Sequence, residues 1–319
     1  MSVPVYHSYV RGKWVPAKSG RTIENENPAT REVLGLFPDS GAEDVAEAVS
    51  AAEEAFPAWR ATPAPRRAEI LFRAAEMMLQ RKEELARDMV LEMGKVVKEA
   101  RGDVQEAIDM AYYMAGEGRR LFGQTTPSEL PSKFALSVRM PYGVVAAITP
   151  WNFPMAIPAW KIMPALVAGN TVVFKPSKFT PKSAWNLVKT LEEAGLPPGV
   201  LNLVIGDGAR AGTPLIEDPR VKLVSFTGST AVGMEVAARC ARANKRLHLE
   251  MGGKNAITVL EDGDIELALE GIVWSAFGTS GQRCTAASRI IAQQGIADEL
   301  TERLVGRAKA LKLGNGLDP

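Results

Sequence analysis

A chain of 319 residues with a net charge of +1 and 24% charged side chains has no electrostatic reason to seek nucleic acid or an anionic membrane surface. Its apolar fraction of 46% is that of an ordinary globular protein, enough core for one large α/β domain or two smaller ones. Its two cysteines, Cys240 and Cys284, make neither a disulfide framework nor a zinc site, and no metal is expected.

Residues 1–20 are polar and lack a basic-then-apolar leader. No run approaches the ~18–20 apolar residues of a membrane span. The most apolar region, Val144 to Gly169, is interrupted by Pro150, Asn152, Pro154, Pro158, Lys161 and Pro164. A cytoplasmic location is the expectation. The first third reads helical. Asp39 or Ser40 can cap a helix carrying Val45, Ala48, Val49, Ala52 and Phe56 on one face. After Pro63 and Pro65, the spacing of Ile70, Leu71, Met77, Met78, Leu85 and Met89 predicts one amphipathic helix over Arg66–Met93, stopped by Gly94. A further helix is expected over about Ala100–Phe122, with Tyr112, Tyr113 and Met114 facing the core. Phe134–Met140 alternates like a strand.

From Gly143 onward strands and helices alternate. The expected strands are Val144–Ile148, Thr171–Phe174, Leu201–Ile205, Leu223–Phe226 and Leu247–Glu250. The expected helices between them are Met155–Ala168, Lys182–Ala194, Ala211–Glu217 and Ala231–Ala243, the first of which Pro158 or Pro164 should start, kink or end. That order implies a doubly wound, mostly parallel sheet with right-handed crossovers, which binds ligands beyond the carboxyl ends of its strands.

The strand ends carry the chemistry-bearing residues. Thr227-Gly-Ser-Thr-Ala-Val-Gly233 opens a helix, where free backbone N–H groups and the helix dipole suit a phosphate; a purely structural β–turn–α unit reads equally well. Gly206-Asp-Gly208-Ala-Arg-Ala-Gly212 is a near miss of the dinucleotide pattern. Lys175-Pro-Ser177-Lys178 ends a strand where NAD-selective folds place an acid against the ribose. No acid stands in that tetrapeptide, which points to a site tolerant of NADP or simply to a solvated lysine. Cys284 follows a glycine-spaced turn and Arg283, a setting that can expose and activate a thiol; Cys240, inside a helical run, reads as structural. Glu250 ends a strand before Gly252 and Gly253, a place for a general base or a surface carboxylate. His248 reads as structural.

Taken together, Asn27-Pro-Ala-Thr, Thr149-Pro-Trp-Asn-Phe-Pro154, Lys175-Pro-Ser, Phe226-Thr-Gly-Ser-Thr, Leu249-Glu-Met-Gly-Gly-Lys and Gly281-Gln-Arg-Cys284 resemble, in order, the segments of the aldehyde dehydrogenase superfamily. The resemblance implies an α/β, Rossmann-like cofactor domain over residues 1–122 and 142–250. It also implies an oligomerisation hairpin over 123–141 and the first part of a catalytic domain over 251–319. Cys284 is then the nucleophile, Glu250 the base and Asn152 an oxyanion donor. NAD or NADP is held by Thr149, Pro150, Trp151, Lys175, Ser177, Lys178, Gly208, Phe226, Thr227, Gly228, Ser229, Gly233, Met251 and Gly252. The family's frequent glutamate is replaced by Lys178, which puts exclusive use of NAD in doubt.

The substrate implied is a small aldehyde. Gln282-Arg-Cys-Thr-Ala and Met251-Gly-Gly-Lys-Asn resemble subgroups acting on carboxylate-bearing semialdehydes, with Arg283 either holding the anion or supporting its loop. A homodimer or homotetramer is implied for the full-length enzyme. Relatives continue past Pro319 and carry a later Glu-x-Phe segment, of which there is none after Cys284 here, so the expectation is a fragment, inactive or aggregation-prone alone. The competing readings are a CoA-acylating dehydrogenase, which retention of Glu250 disfavours, and a non-catalytic nucleotide-binding fragment. A cysteine hydrolase is disfavoured because the chain has 2 histidines and no Cys–His arrangement.

Overall fold

The computed structural model describes residues 3–318. In chain order its elements begin with β1 (Ser8–Val10), β2 (Lys13–Val15), β3 (Thr22–Glu26) and β4 (Val33–Pro38). Four helices follow: α1 (Ala42–Ala61), α2 (Ala64–Gln80), α3 (Lys82–Met93) and α4 (Val97–Glu117). A short hairpin, β5 (Thr125–Pro127) and β6 (Phe134–Leu136), leads into β7 (Val144–Ile148), α5 (Ala156–Val167), β8 (Thr171–Lys175), α6 (Pro181–Glu193) and β9 (Leu201–Leu203). The chain continues through α7 (Thr213–Glu217), β10 (Val221–Gly228), α8 (Thr230–Arg242) and β11 (Arg246–Met251). It closes with β12 (Asn255–Val259), α9 (Ile265–Phe277), β13 (Ala287–Ala292) and α10 (Ala297–Lys309).

Seven strands form the main sheet, in the order β11-β10-β7-β8-β9-β1-β2. The five strands from β11 to β9 run parallel, and β1 and β2 extend the edge antiparallel. Strands such as Val144-Val-Ala-Ala-Ile148 are buried throughout, as a sheet covered on both faces requires. Helices α2 to α6 cover one face against Val145, Ala147, Val172 and Phe174. Helices α1, α7 and α8 cover the other against Val144, Ala146, Val173 and Phe226. The order of strands reverses between β7 and β10: β8 and β9 lie to one side, β11 to the other. The doubly wound parallel fold expected from the sequence is therefore present, with its switch point at the ends of β7 and β10. A separate small cluster, Val259, Leu269, Ile272 and Leu300, gathers β12, β13, α9 and α10. Among the described residues no helix is long and apolar enough to cross a membrane.

Several expected elements differ in detail. Helix α1 is capped at Gly41, whose N–H donates to the Asp44 carboxylate over 2.9 Å, and not at Asp39 or Ser40, which are buried before it. The single helix expected over Arg66–Met93 is two, broken at Arg81; the apolar spacing persists across the break because both halves pack on α6. Gly94 does stop α3, in the left-handed conformation (φ 85°) that favours glycine. Helix α4 ends at Glu117, leaving Phe122 exposed outside it. Tyr113 is 64% exposed, contrary to the core-facing expectation, because consecutive helical residues diverge by about 100°. Strand β6 stops at Leu136, with Val138 and Met140 exposed beyond it. Strand β9 stops at Leu203, and a π turn over Gly208–Gly212 delays α7 to Thr213. Pro158 falls in the first turn of α5, where its missing N–H has no acceptor to lose, and Pro164 is carried inside the helix without ending it.

Both helices that follow the central strands begin on a buried carboxylate. Asp103 Oδ1 accepts from Met155 N–H (3.3 Å) and Ala156 N–H (2.8 Å) at the start of α5. Glu92 accepts from Lys182 N–H (2.8 Å) and Ser183 N–H (2.7 Å) at the start of α6. Burial pushes the Glu92 carboxyl up from its ordinary 4.5 to about 7, against the pull of those N–H donors. Between these values the native state binds the proton that the unfolded chain has lost, so this group's contribution to stability falls as pH rises from about 4.5 to about 7 and is flat above. We predict that wild type loses about 3 kcal/mol relative to Glu92→Gln across that range, measured as unfolding midpoints in urea at several pH values. A difference that stays constant with pH would contradict it.

Candidate active site

The ends of β7, β8 and β10 open into a cleft of about 800 Å³, within the range of small-molecule and cofactor sites. From β7 come Thr149, Pro150, Trp151 and Asn152; from β8, Lys175, Ser177 and Lys178; from β10, Phe226, Thr227, Gly228 and Ser229. Gly208, Met251, Gly252 and Cys284 also line it. The structure thus brings together nearly every residue singled out from the sequence.

Two stand apart. Gly233 is buried under β11: a Cβ there would sit 2.5 Å from Met251 Sδ, so this glycine lets α8 approach the sheet and does not line the cleft. Glu250 alternates with Leu249 and Met251 along β11, and therefore points to the sheet face opposite Met251, with His248 Nε2 3.4 Å from its Oε1. It is absent from the cleft wall. The period of two in Leu247-His-Leu-Glu-Met was the signal that separates Glu250 from Met251.

The local sequence builds an anion cradle at α8. Ser229 caps the helix, its Oγ accepting from Val232 N–H at 3.4 Å. The first intrahelical bond is Gly233 N–H to Ser229 C=O at 2.9 Å, which leaves the Thr230 and Ala231 N–H groups without an intrahelical acceptor. At the other end of the cleft, Lys175 is buried with its Nζ donating to Pro176 C=O (3.0 Å), and burial lowers its ammonium to about 8. Ser177 Oγ accepts from Phe179 N–H at 3.2 Å. Lys178 Nζ lies 3.2 Å from Asp207 Oδ2 and is not a free cation. Asp207, Phe179, Ile216, Val232 and Gln282 line the cleft without having been singled out from the sequence; Asp207, Val232 and Gln282 stood in segments that drew notice, whereas Phe179 and Ile216 did not.

Cys284 is exposed, whereas Cys240 is buried and burial raises its thiol. The Cys284 loop is held from several sides. Asn255 Nδ2 donates to Cys284 C=O (2.8 Å), Asn152 Nδ2 to Gln282 C=O (2.7 Å) and Trp151 Nε1 to Gln282 Oε1 (2.6 Å). Thr279 and Ser280 take left-handed φ values of 53° and 54° within this turn, a conformation that costs energy in non-glycine residues and persists where neighbours enforce it. Glu99 of α4 enforces it: its carboxylate accepts from Thr279 N–H (2.8 Å) and from Arg283 (3.0 Å). Arg283 also donates to Thr279 Oγ1 (2.9 Å) and stacks over Trp274. Of the two roles expected for Arg283, loop support is the one that these contacts fill.

The loop of Asn152 rests on the same helix end. Lys95 Nζ donates to Asn152 C=O (2.7 Å) and Asp103 Oδ2 (2.8 Å), and both charged side chains are fully buried. Burial pushes the Asp103 carboxyl up while the Lys95 ammonium pulls it back. Two buried polar atoms in this wall, Thr149 Oγ1 and Asn152 Oδ1, have no protein partner, the signature of groups that await a ligand or solvent.

Doubly wound folds that bind ligand at a switch point are the class that this arrangement defines. The chain belongs to the aldehyde dehydrogenase family, whose profile matches residues 14–319. It is 43% identical over 313 residues to a Bacillus subtilis (strain 168) protein named alpha-ketoglutaric semialdehyde dehydrogenase, covering 98% of this chain and 64% of that protein. It is 40% identical over 309 residues to an Escherichia coli (strain K12) protein named as an NADP(+) succinate-semialdehyde dehydrogenase, covering 97% of this chain and 64% of the relative. Its fold matches a point mutant of betaine aldehyde dehydrogenase from Staphylococcus aureus, solved with NAD+ and a BME-modified cysteine. That match has a TM-score of 0.96 at 34% identity, over 98% of this chain and 64% of the other. The chain thus spans less than two thirds of the length of these relatives.

The anchoring of the Cys284 loop makes a prediction. Glu99→Ala removes the acceptor of Thr279 N–H and the partner of Arg283. Amide hydrogen exchange should speed up about tenfold or more over residues 278–286 and remain unchanged over β7. Unaltered exchange in the loop would contradict the anchoring role. Lys95→Met strands the Asp103 carboxylate in the interior and should cost about 3–5 kcal/mol in unfolding free energy, read by urea denaturation.

Proposed function

We propose that the chain carries the cofactor-binding half and the nucleophile of an enzyme that oxidises an aldehyde to a carboxylic acid with NAD or NADP. The observation that carries the reading is the exposed Cys284 thiol on the wall of a nucleotide-sized cleft that the Asn152 loop and a phosphate-suited helix N-terminus also line. The residues fit a dinucleotide. Thr230 and Ala231 N–H groups suit its pyrophosphate, Lys175, Ser177 and Lys178 its adenosine ribose, and Trp151 and Phe226 its apolar parts. Residues 1–122 and 142–250 form the cofactor domain in this reading, 123–141 the oligomerisation hairpin and 251–319 the beginning of the catalytic domain. A homodimer or homotetramer in the cytoplasm is the assembly proposed. The exposed Phe134, Leu136, Val138 and Met140 of the hairpin region supply an apolar surface for it.

In the chemistry proposed, Cys284 sulfur adds to the aldehyde carbonyl, and the resulting alkoxide is held by the Asn152 side-chain amide and the Cys284 N–H. Bound NAD or NADP supplies the hydride acceptor. Loss of hydride from the tetrahedral carbon leaves a thioester on Cys284. Glu250 then takes a proton from water, which attacks the thioester, releases the acid and returns the thiol. Glu250 projects from the face of β11 opposite the cleft-lining Met251, and its role as base rests on the family resemblance. Retention of a carboxylate there favours water over CoA as the acceptor.

The semialdehydes named for the relatives above suggest a carboxylate-bearing aldehyde as substrate. Arg283 is already engaged by Glu99 and Trp274, so the substrate anion is proposed to be held by other groups.

Aldehyde-dependent formation of NADH or NADPH by the full-length enzyme that carries this chain, followed at 340 nm on a panel of aldehydes, tests the reading. Asn152→Ala should lower turnover by about two to three orders of magnitude. Cys284→Ala should abolish it, and Glu250→Gln should accumulate a thioester visible as a mass increment on Cys284. Undiminished oxidation by Cys284→Ala would overturn the mechanism.

A further inference from the structure

We propose that Asp207 sets the discrimination between NAD-type and NADP-type nucleotides, by holding the Lys178 ammonium that would otherwise engage a 2′-phosphate. This rests on the nucleotide reading of the cleft. Lys178 follows β8 and Asp207 follows β9, neighbouring parallel strands whose carboxyl ends bring the two side chains together at one end of the cleft. Their separation of 29 residues in the chain conceals the pair in the sequence.

The carboxylate is fixed in place. Asp207 Oδ1 accepts from Ala209 N–H at 2.9 Å, capping the π turn Gly208–Gly212, while Oδ2 faces Lys178 Nζ at 3.2 Å. The Ala209 N–H and then Lys178 hold this carboxyl below the usual carboxylate range, so it is ionised throughout the neutral range. The other cation nearby, Lys175, is committed to Pro176 C=O and is 6% exposed. Lys178 also lies over the Phe179 ring, 5.6 Å from its centroid.

A 2′-phosphate entering here would have to displace Asp207 from Lys178 and then sit beside an unpaired carboxylate. A 2′-hydroxyl faces neither requirement. The acid that NAD-selective folds place at the end of the second strand is thus supplied here from the end of the next strand, and the lysine that reads as NADP-tolerant in the sequence is neutralised by it.

Isothermal titration of this chain with ADP and with 2′,5′-ADP, at fixed low ionic strength, gives the ratio Kd(ADP)/Kd(2′,5′-ADP) for wild type, Asp207→Asn, Lys178→Met and the double variant. Asparagine retains an acceptor for Ala209 N–H; Asp207→Ser serves as a second variant with the same capping capacity should Asp207→Asn unfold. The ratio is expected to rise about tenfold or more in Asp207→Asn, from one charge removed a few ångströms from a phosphate. The rise should be clearly smaller in the Lys178→Met background, where only the lost repulsion remains. Binding of ADP with a ratio unchanged by Asp207→Asn overturns the assignment of Asp207 alone. An equal rise with and without Lys178 overturns the sequestration of that lysine. Failure of folded wild type to bind either nucleotide overturns the reading of the cleft, and the proposal with it.

Discussion

The Lys95–Asp103 pair is the contact on which the geometry of the cleft depends. Taking two ions out of water is costly, and such a pair is retained only where its remaining hydrogen-bonding capacity is met. Here it is met by the site itself. Asp103 spends its second oxygen on the first N–H groups of α5, and Lys95 spends a second proton on the Asn152 carbonyl while its charge rests on the Phe153 ring. The loop after β7 is thereby pinned to the start of α4. Glu99 and Asp103 stand one helical turn apart near the start of α4, and Lys95 lies in the extended segment that leads into it. Glu99 reaches the loop before Cys284. A single helix end therefore sets two loops, which are latched to each other through Gln282.

The sheet supplies the remaining constraint. Reversal of strand order between β7 and β10 opens a crevice at their carboxyl ends, and the helices leaving β7 and β8 start on Asp103 and Glu92. Carboxylates at those two N-termini answer the helix dipoles with protein groups. The N-terminus of α8 has no carboxylate, only the neutral cap of Ser229. Of α5, α6 and α8, the last keeps its positive end available for an anion.

Much of this was legible in the sequence because it is local. Buried runs such as Val144–Ile148 mark parallel strands, Gly94 marks a helix stop, and the glycine-rich segments fall at strand ends. What escaped is set by tertiary contact. The break at Arg81 interrupts a continuous apolar spacing and is visible only in the backbone. Arg283 and Glu99 are 184 residues apart, and Lys178 and Asp207 meet through adjacent strands. Pattern cannot reveal such pairs, since nothing local to Lys178 or Arg283 names the distant carboxylate that engages it. Glu250 and Gly233 were separable in principle. The alternation of β11 turns Glu250 away from Met251, and Gly233 lies one helical turn beyond the cap at Ser229, where close packing on Met251 forbids a side chain.

The central claim is that Cys284 and the nucleotide cleft form one site. The most direct measurement is the rate at which iodoacetamide labels Cys284, followed by peptide mass spectrometry with and without saturating NAD or NADP, with the buried Cys240 as internal reference. The account predicts that nucleotide changes the Cys284 rate several-fold while Cys240 stays unlabelled in the folded protein. A Cys284 rate that is indifferent to a nucleotide shown to bind would contradict it.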